Sequence, residues 1–394
     1  MKKLSGLKIA TGLSLLCCTL CARAETAFDA YLPATPATVV QGIYVATTPP
    51  ALKVKDGQTV KIDTVNSTEL NKDDYLKVLK SGGISPNVPF IKETVTILGT
   101  PPTVELTQRS GRVGRLLTGP VYVEGAEPGD TLEVRVIDLA VQSDFAINRT
   151  ITNMGHPLAT MTPAPTARVY KLDRKKGKVL FGKDIEIPLW PYLGEMGVTP
   201  SAEMGSYTAN RPSKLTGGSF DCPDLGKGAS LYFPVHVPGA MFLAGGGKAT
   251  GANGKVNYFG MEVPLTAYLQ FIVHKGQKLD SVRAENATHY ITFGTADVLD
   301  VVMRLSAQEL VDFLKEKAGL DFFYAYSLGS LAIDFNITRA NTTGQLMHTT
   351  IPKYIFVKGE PPPYWYKGEL APKYYLPGNY FAAQKVPFIP MANN

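Results

Sequence analysis

Two lysines in a glycine-rich stretch, a cysteine beside an aspartate, and a few scattered carboxylates and histidines are the side chains here that could do chemistry. The stretch Gly245-Gly246-Gly247-Lys248-Ala249-Thr250-Gly251-Ala252-Asn253-Gly254-Lys255 reads as a long loop dividing the middle of the chain. Glycine has no side chain to ligate or carry a proton, and lysine is a cation unless desolvation lowers its pKa. Such a loop suits a small anion better than a divalent metal, although its lysines could equally be solvated loop charges. Cys222, next to Asp221, could in principle be a nucleophile. No histidine lies near it in sequence, and most lone cysteines behave as small hydrophobes. Asp221 could instead bond backbone in a tight turn. His289 lies in an apolar, strand-like run and reads as a satisfied core histidine, while His348 leads into a strand. Glu124 and Glu127 fall in a turn, where carboxylates accept backbone N–H bonds.

The elements that must position these groups are mainly strands. With 37 glycines, 29 prolines and few long helical periods, the chain reads as mainly β, α+β overall, with stacked sheets forming a sandwich or barrel. A turn followed by an alternating strand occurs at 53–63, again at 127–136, and more loosely at 228–235. In the second copy Pro128 presets a turn and Gly129 can take positive φ. Alternation then puts Leu132, Val134 and Val136 on one face and Glu133 and Arg135 on the other. One helix is expected from a capping box, Ser306 reaching forward and Glu309 back, with Leu310, Val311, Phe313 and Leu314 as its apolar stripe and Gly319 as its end. A second helix is expected over about 322–334. The Pro/Tyr-rich stretch from Glu360 onward reads as an irregular arm.

The first 24 residues read as a secretory signal: Lys2, Lys3 and Lys8, then an apolar run from Ile9 to about Leu20, then Ala22-Arg23-Ala24. The run falls short of the roughly 20 apolar residues a spanning helix wants. The chain is therefore expected to be secreted or periplasmic, with no membrane insertion after cleavage. Cleavage removes Cys17, Cys18 and Cys21, which leaves Cys222 and no intramolecular disulfide. It also removes four of the 40 basic residues and no acidic ones, so net charge drops from +6 to near +2. Nothing in that balance argues for nucleic acid as a partner. The expected organisation is a lobe over 25–150, a second lobe with an α+β part over 151–356, and the arm over 357–394.

The segment Leu117-Thr118-Gly119-Pro120-Val121-Tyr122-Val123-Glu124-Gly125-Ala126-Glu127-Pro128-Gly129-Asp130 resembles the central signature of the acetamidase/formamidase family. Gly194-Glu195-Met196-Gly197-Val198-Thr199-Pro200, the strand-like run 231–242 and the segments 288–292 and 348–353 resemble family segments in the same order. The resemblance spans roughly residues 38–356 and implies sandwich-like and barrel-like lobes with a smaller α+β part. It also implies hydrolysis of short aliphatic amides such as formamide and acetamide, a homo-oligomer, and possible use of a divalent metal such as zinc. That chemistry needs an activated water, a stabilised oxyanion and a proton for the leaving nitrogen.

The pattern departs from the family in the glycine-rich stretch. Where the family usually carries aspartate, histidine, aspartate and glutamate, this sequence has Gly246, Lys248, Asn253 and Lys255; a histidine before the signature is Arg115. At motif-matching positions Glu262, Asp221 and His348 remain as candidate catalytic groups. Lys248, Lys255, Gly246 and Gly247 become candidate substrate-binding positions, for an amide or a small anion. The alternative is a catalytically degenerate relative that binds a small extracytoplasmic ligand.

Overall fold

The computed structural model describes residues 26–101, 114–152, 166–340, 344–357 and 365–366; the expected signal segment at 1–24 and most of the expected arm at 357–394 lie outside them. Among these residues the chain builds two large sheets. In the nine-stranded sheet Thr59–Asp63, Leu265–His274, Thr131–Val141 and Ser230–Pro234 lie side by side. The three turn-then-strand units thus enter one sheet. Leu132, Val134 and Val136 are fully buried, as alternation predicts. On the other face Glu133 is held by Arg135 at 2.6 Å and His274 at 2.8 Å.

The twelve-stranded sheet has at its centre Phe145–Thr150, Met261–Glu262, Phe242–Thr250, Tyr192–Gly197 and Gly217–Ser219. Leu116–Val123, carrying the signature, also pairs with Phe242–Thr250. The two sheets share one core. Phe242 packs between Phe233 and Phe271 of the facing sheet, with ring centroids 5.9 and 5.3 Å away. Burying a side chain of this kind contributes about 1.5–3 kcal/mol. The architecture is mainly β with a small helical part, as expected.

Three local expectations are corrected. The glycine-rich stretch is a loop only beyond Thr250: Phe242–Thr250 is a fully buried strand, held on both edges by backbone pairing that outweighs glycine's poor strand propensity. Ser306 caps nothing. The helix runs Leu299–Ala318, starting eight residues earlier than the capping box implies. Ser306 is buried inside it and donates back to the Val302 carbonyl at 2.8 Å, while Glu309 pairs with Lys214. Gly319 does close the helix, with φ +65°. The next helix, Phe322–Leu331, ends sooner than expected because Asp334 starts a strand.

Two further helices, not expected from the sequence, are ten residues each. Lys72–Ser81 is capped by Asn71, whose side chain accepts from the Asp74 N–H, and Pro89–Leu98 opens on a proline. Tyr75, Leu79 and Ile91 pack on Phe145 and Ile147 of the twelve-stranded sheet. No described helix is long and apolar enough to cross a membrane.

Candidate functional site

The signature strands converge on a buried ionic cluster. Across three neighbouring strands, Lys248 is in register with Tyr192 on one side and Glu262 on the other. A cross-strand pair projects to one face, so the Lys248 ammonium meets the Glu262 carboxylate at 3.1 Å. The same ammonium lies 3.2 Å from Asp221 and donates to the Gly246 carbonyl at 2.8 Å. Arg115, just before the signature strand, reaches Glu69 at 2.9 Å, Glu195 at 3.5 Å and Glu262 at 3.8 Å. Arg339 closes the group, donating to the Ser219 carbonyl at 2.9 Å and lying 3.9 Å from Asp221. Lys255 donates to the Tyr192 hydroxyl and, at 3.2 Å, to the Ala252 carbonyl. Four cations, Arg115, Lys248, Lys255 and Arg339, thus face four carboxylates, Glu69, Glu195, Asp221 and Glu262, all of them buried.

Glycine makes the space. A Cβ at Gly194 would lie 2.6 Å from the Lys248 ammonium and 2.7 Å from Asp221. A Cβ at Gly246, where φ is +61°, would lie 1.3 Å from a Glu195 carboxylate oxygen. Backbone strain concentrates here too. Among the described residues six non-glycine positions have positive φ, and four of them, Glu69, Asp221, Lys255 and Tyr258, belong to or touch the cluster. Strain of this kind persists where surrounding contacts over-determine it, and it gathers at functional sites.

Burial and neighbouring charge set the proton affinities. Burial pushes the Glu262 carboxyl up to about 7, against the opposing pull of Lys248 and Arg115. Burial pushes Lys255 down to about 8. Burial also disfavours charge on Lys248 and Asp221. Here the mutual attraction wins, together with Glu262 acting on the lysine and Lys255 on the aspartate: Lys248 is raised and Asp221 is held well below the usual carboxylate range. Three carboxylate oxygens in the cluster, Glu262 Oε1, Glu195 Oε2 and Asp221 Oδ1, are buried with no hydrogen-bond donor.

Of the residues singled out from sequence, Glu262, Asp221, Lys248 and Gly246 are brought together, with Lys255 at the rim beside Tyr192. Gly247 is directed elsewhere: a Cβ there would meet the Val263 carbonyl and Leu265. Both lysines are buried rather than solvated. His348 lies apart from Lys248, against Cys222: its Nδ1 is 3.7 Å from the thiol and its Nε2 is 3.2 Å from Asp224. The apparent lack of a histidine for Cys222 is therefore corrected. Its partner lies 126 residues away in sequence. Glu69, Glu195, Arg115, Tyr192 and Arg339 were not among the chosen candidates. Glu195 lies in a segment that resembles the family's and Arg115 at a position that departs from the family pattern; no local pattern marks the others.

A divalent metal does not fit the cluster. Asp221, Glu262 and the Gly246 carbonyl form an oxygen cage, but the Lys248 ammonium already fills it. Arg115, Lys255 and Arg339 add three more positive charges nearby, and a dication there would meet all four.

A double-sheet β protein with an enclosed acid–base cluster on glycine-lined strands defines the class. Residues 105–217 match the model of the acetamidase/formamidase family. The chain is similar to an acetamidase from Mycolicibacterium smegmatis, 25% identical over 201 residues, which covers 37% of this chain and 50% of that protein. The chain thus spans about half the length of that curated relative. Its fold matches a predicted acetamidase/formamidase from Thermoanaerobacter tengcongensis (TM-score 0.68, 23% identity, 83% of this chain and 97% of that one). It likewise matches an acetamidase from Bacillus halodurans (0.67, 22%, 83% and 98%). A gamma lactamase from Delftia acidovorans is a more distant match (0.52, 18%, 84% and 94%).

Proposed function

We propose that this protein hydrolyses a short aliphatic amide to carboxylate and ammonia using side chains in place of a metal. The observation that carries this reading is Glu262. It is a buried carboxyl with one oxygen on Lys248, the other without a donor, and proton affinity near neutrality. A group so poised can take a proton from water as it attacks the amide carbonyl. Lys248 and Arg115 hold positive charge beside Glu262 and offer stabilisation to the developing oxyanion. Lys255, whose ammonium gives up its proton more readily than an ordinary lysine, supplies one to the departing nitrogen. Asp221 holds Lys248 in place. The leader at 1–24 supports action outside the cytoplasm, which fractionation and N-terminal sequencing of the exported chain would test.

The test is ammonia release from formamide, acetamide and propionamide by residues 25–394, with chelator and with added zinc. Release that persists in chelator and drops about 10²–10³-fold in Glu262→Gln is expected. Release that requires zinc, or an unaffected Glu262→Gln, would remove this reading. The charge balance of the cluster favours a second one: a non-hydrolytic relative in which the paired ions hold the fold and the region near Lys248 and Lys255 binds a small ligand. Absence of ammonia from every amide, with calorimetric binding of a small amide or carboxylate lost in Lys255→Ala, would select it.

A further inference from the structure

One residue beyond Asp221 the chain enters a second cluster, which the ionic site does not use. Cys222 precedes a single turn, Pro223–Leu225, that carries Asp224. His348 stands in the middle of the strand Gln345–Pro352, in register with Phe293 on one side and Asn336 on the other. Thiol, imidazole and carboxylate donors come within 4.8 Å of one another. We propose that Cys222, Asp224 and His348 bind a borderline-soft divalent transition metal, of which zinc is the type.

The donor set suits that class: a thiolate and an imidazole select zinc-like ions over magnesium or calcium, and three protein ligands leave a fourth position open. Bond lengths of about 2.0–2.3 Å place tetrahedral ligands roughly 3.3–3.6 Å apart. Nε2 and the Asp224 carboxylate, 3.2 Å apart, are already near that range, and the three donor atoms all lie within 4.8 Å of one another, so small side-chain movements close the set. Thr338 supplies an outer contact: its hydroxyl lies 2.7 Å from His348 Nδ1. Accepting the Nδ1 proton, it leaves Nε2, the nitrogen facing Asp224, as the metal ligand. Thiolate and carboxylate together neutralise a dication. Entry lies on the Asp224 side, since that side chain is 16% exposed and His348 is fully buried. The proposal is independent of amide hydrolysis and survives its failure.

Titration of residues 25–394 with cobalt(II), followed by absorption and native mass spectrometry, tests it. One equivalent is expected, with a sulfur-to-cobalt charge-transfer band that zinc abolishes by displacement. Cys222→Ser should lose that band, and His348→Gln should weaken binding at least about tenfold. Should either variant misfold, zinc protection of Cys222 against alkylation in the unaltered protein, read by peptide mapping, gives the same answer. Cobalt binding without the charge-transfer band, no binding at millimolar metal, or alkylation unchanged by zinc would overturn the site.

Discussion

Lys248 shows how one side chain can redefine a site. An ammonium in an oxygen cage makes the same kind of contacts a cation would, but it is covalently tethered and cannot exchange. Removing it leaves Asp221 and Glu262 buried without their nearest charge. Lys248→Met should therefore lower unfolding free energy by about 3–5 kcal/mol, read by urea denaturation, and Lys248→Met with Glu262→Gln should recover part of that loss. The proton affinities make a second prediction. Activity should fall as pH drops through about 7, where Glu262 gains a proton, and fall again above about 8, where Lys255 loses one. A narrow bell in kcat/KM against pH is expected, with the acid limb absent from the residual activity of Glu262→Gln. Stability moves with the same group. A carboxyl whose folded pKa is raised favours the folded state fully below the ordinary carboxyl range, and that contribution is lost as pH rises through about 7. Unfolding free energy of Glu262→Gln should lack that decline.

At the scale of elements the strand Phe242–Thr250 is decisive. Gly246, at positive φ, leaves the space that the Glu195 carboxylate holds, while Gly245 and Gly247 let the backbone at Leu116 and Val263 approach closely. Gly246→Ala combines backbone strain with a collision against Glu195. It should cost more than Gly57→Ala, where φ is also positive, +83°, but a Cβ meets nothing within 4 Å. Replacement at φ > 0 alone costs about 1 kcal/mol; an excess at Gly246, with loss of any ammonia release, is expected in paired denaturation and activity measurements. Equal costs would mean that Glu195 simply moves aside. The elements also show where sequence patterns failed. Ser306 and Glu309 have capping-box spacing, but a helix start depends on where the chain leaves the preceding strand, here at Ala296. That departure point is a tertiary fact.

Over the whole molecule, the two large sheets share one core, in which Phe242 packs against Phe233 and Phe271 of the facing sheet. Phe242→Ala should destabilise by about 3–5 kcal/mol and, by loosening the strand that carries Gly246 and Lys248, reduce any turnover in proportion to the unfolded or distorted fraction. The sequence by itself determined the mainly β class, the alternating strands and the family signature, because period-two burial and turn glycines are local properties printed in residue order. It also marked the altered positions Arg115, Gly246, Lys248 and Lys255. It could not say that the lysines are buried and paired, that Arg115 joins Glu69 and Glu195, or that Cys222 meets His348. Those contacts join residues from 14 to 126 positions apart, and only strand register and the stacking of two sheets bring them within reach. The same register turned an apparent glycine loop into a strand, because backbone pairing on both edges supplies what its side chains cannot.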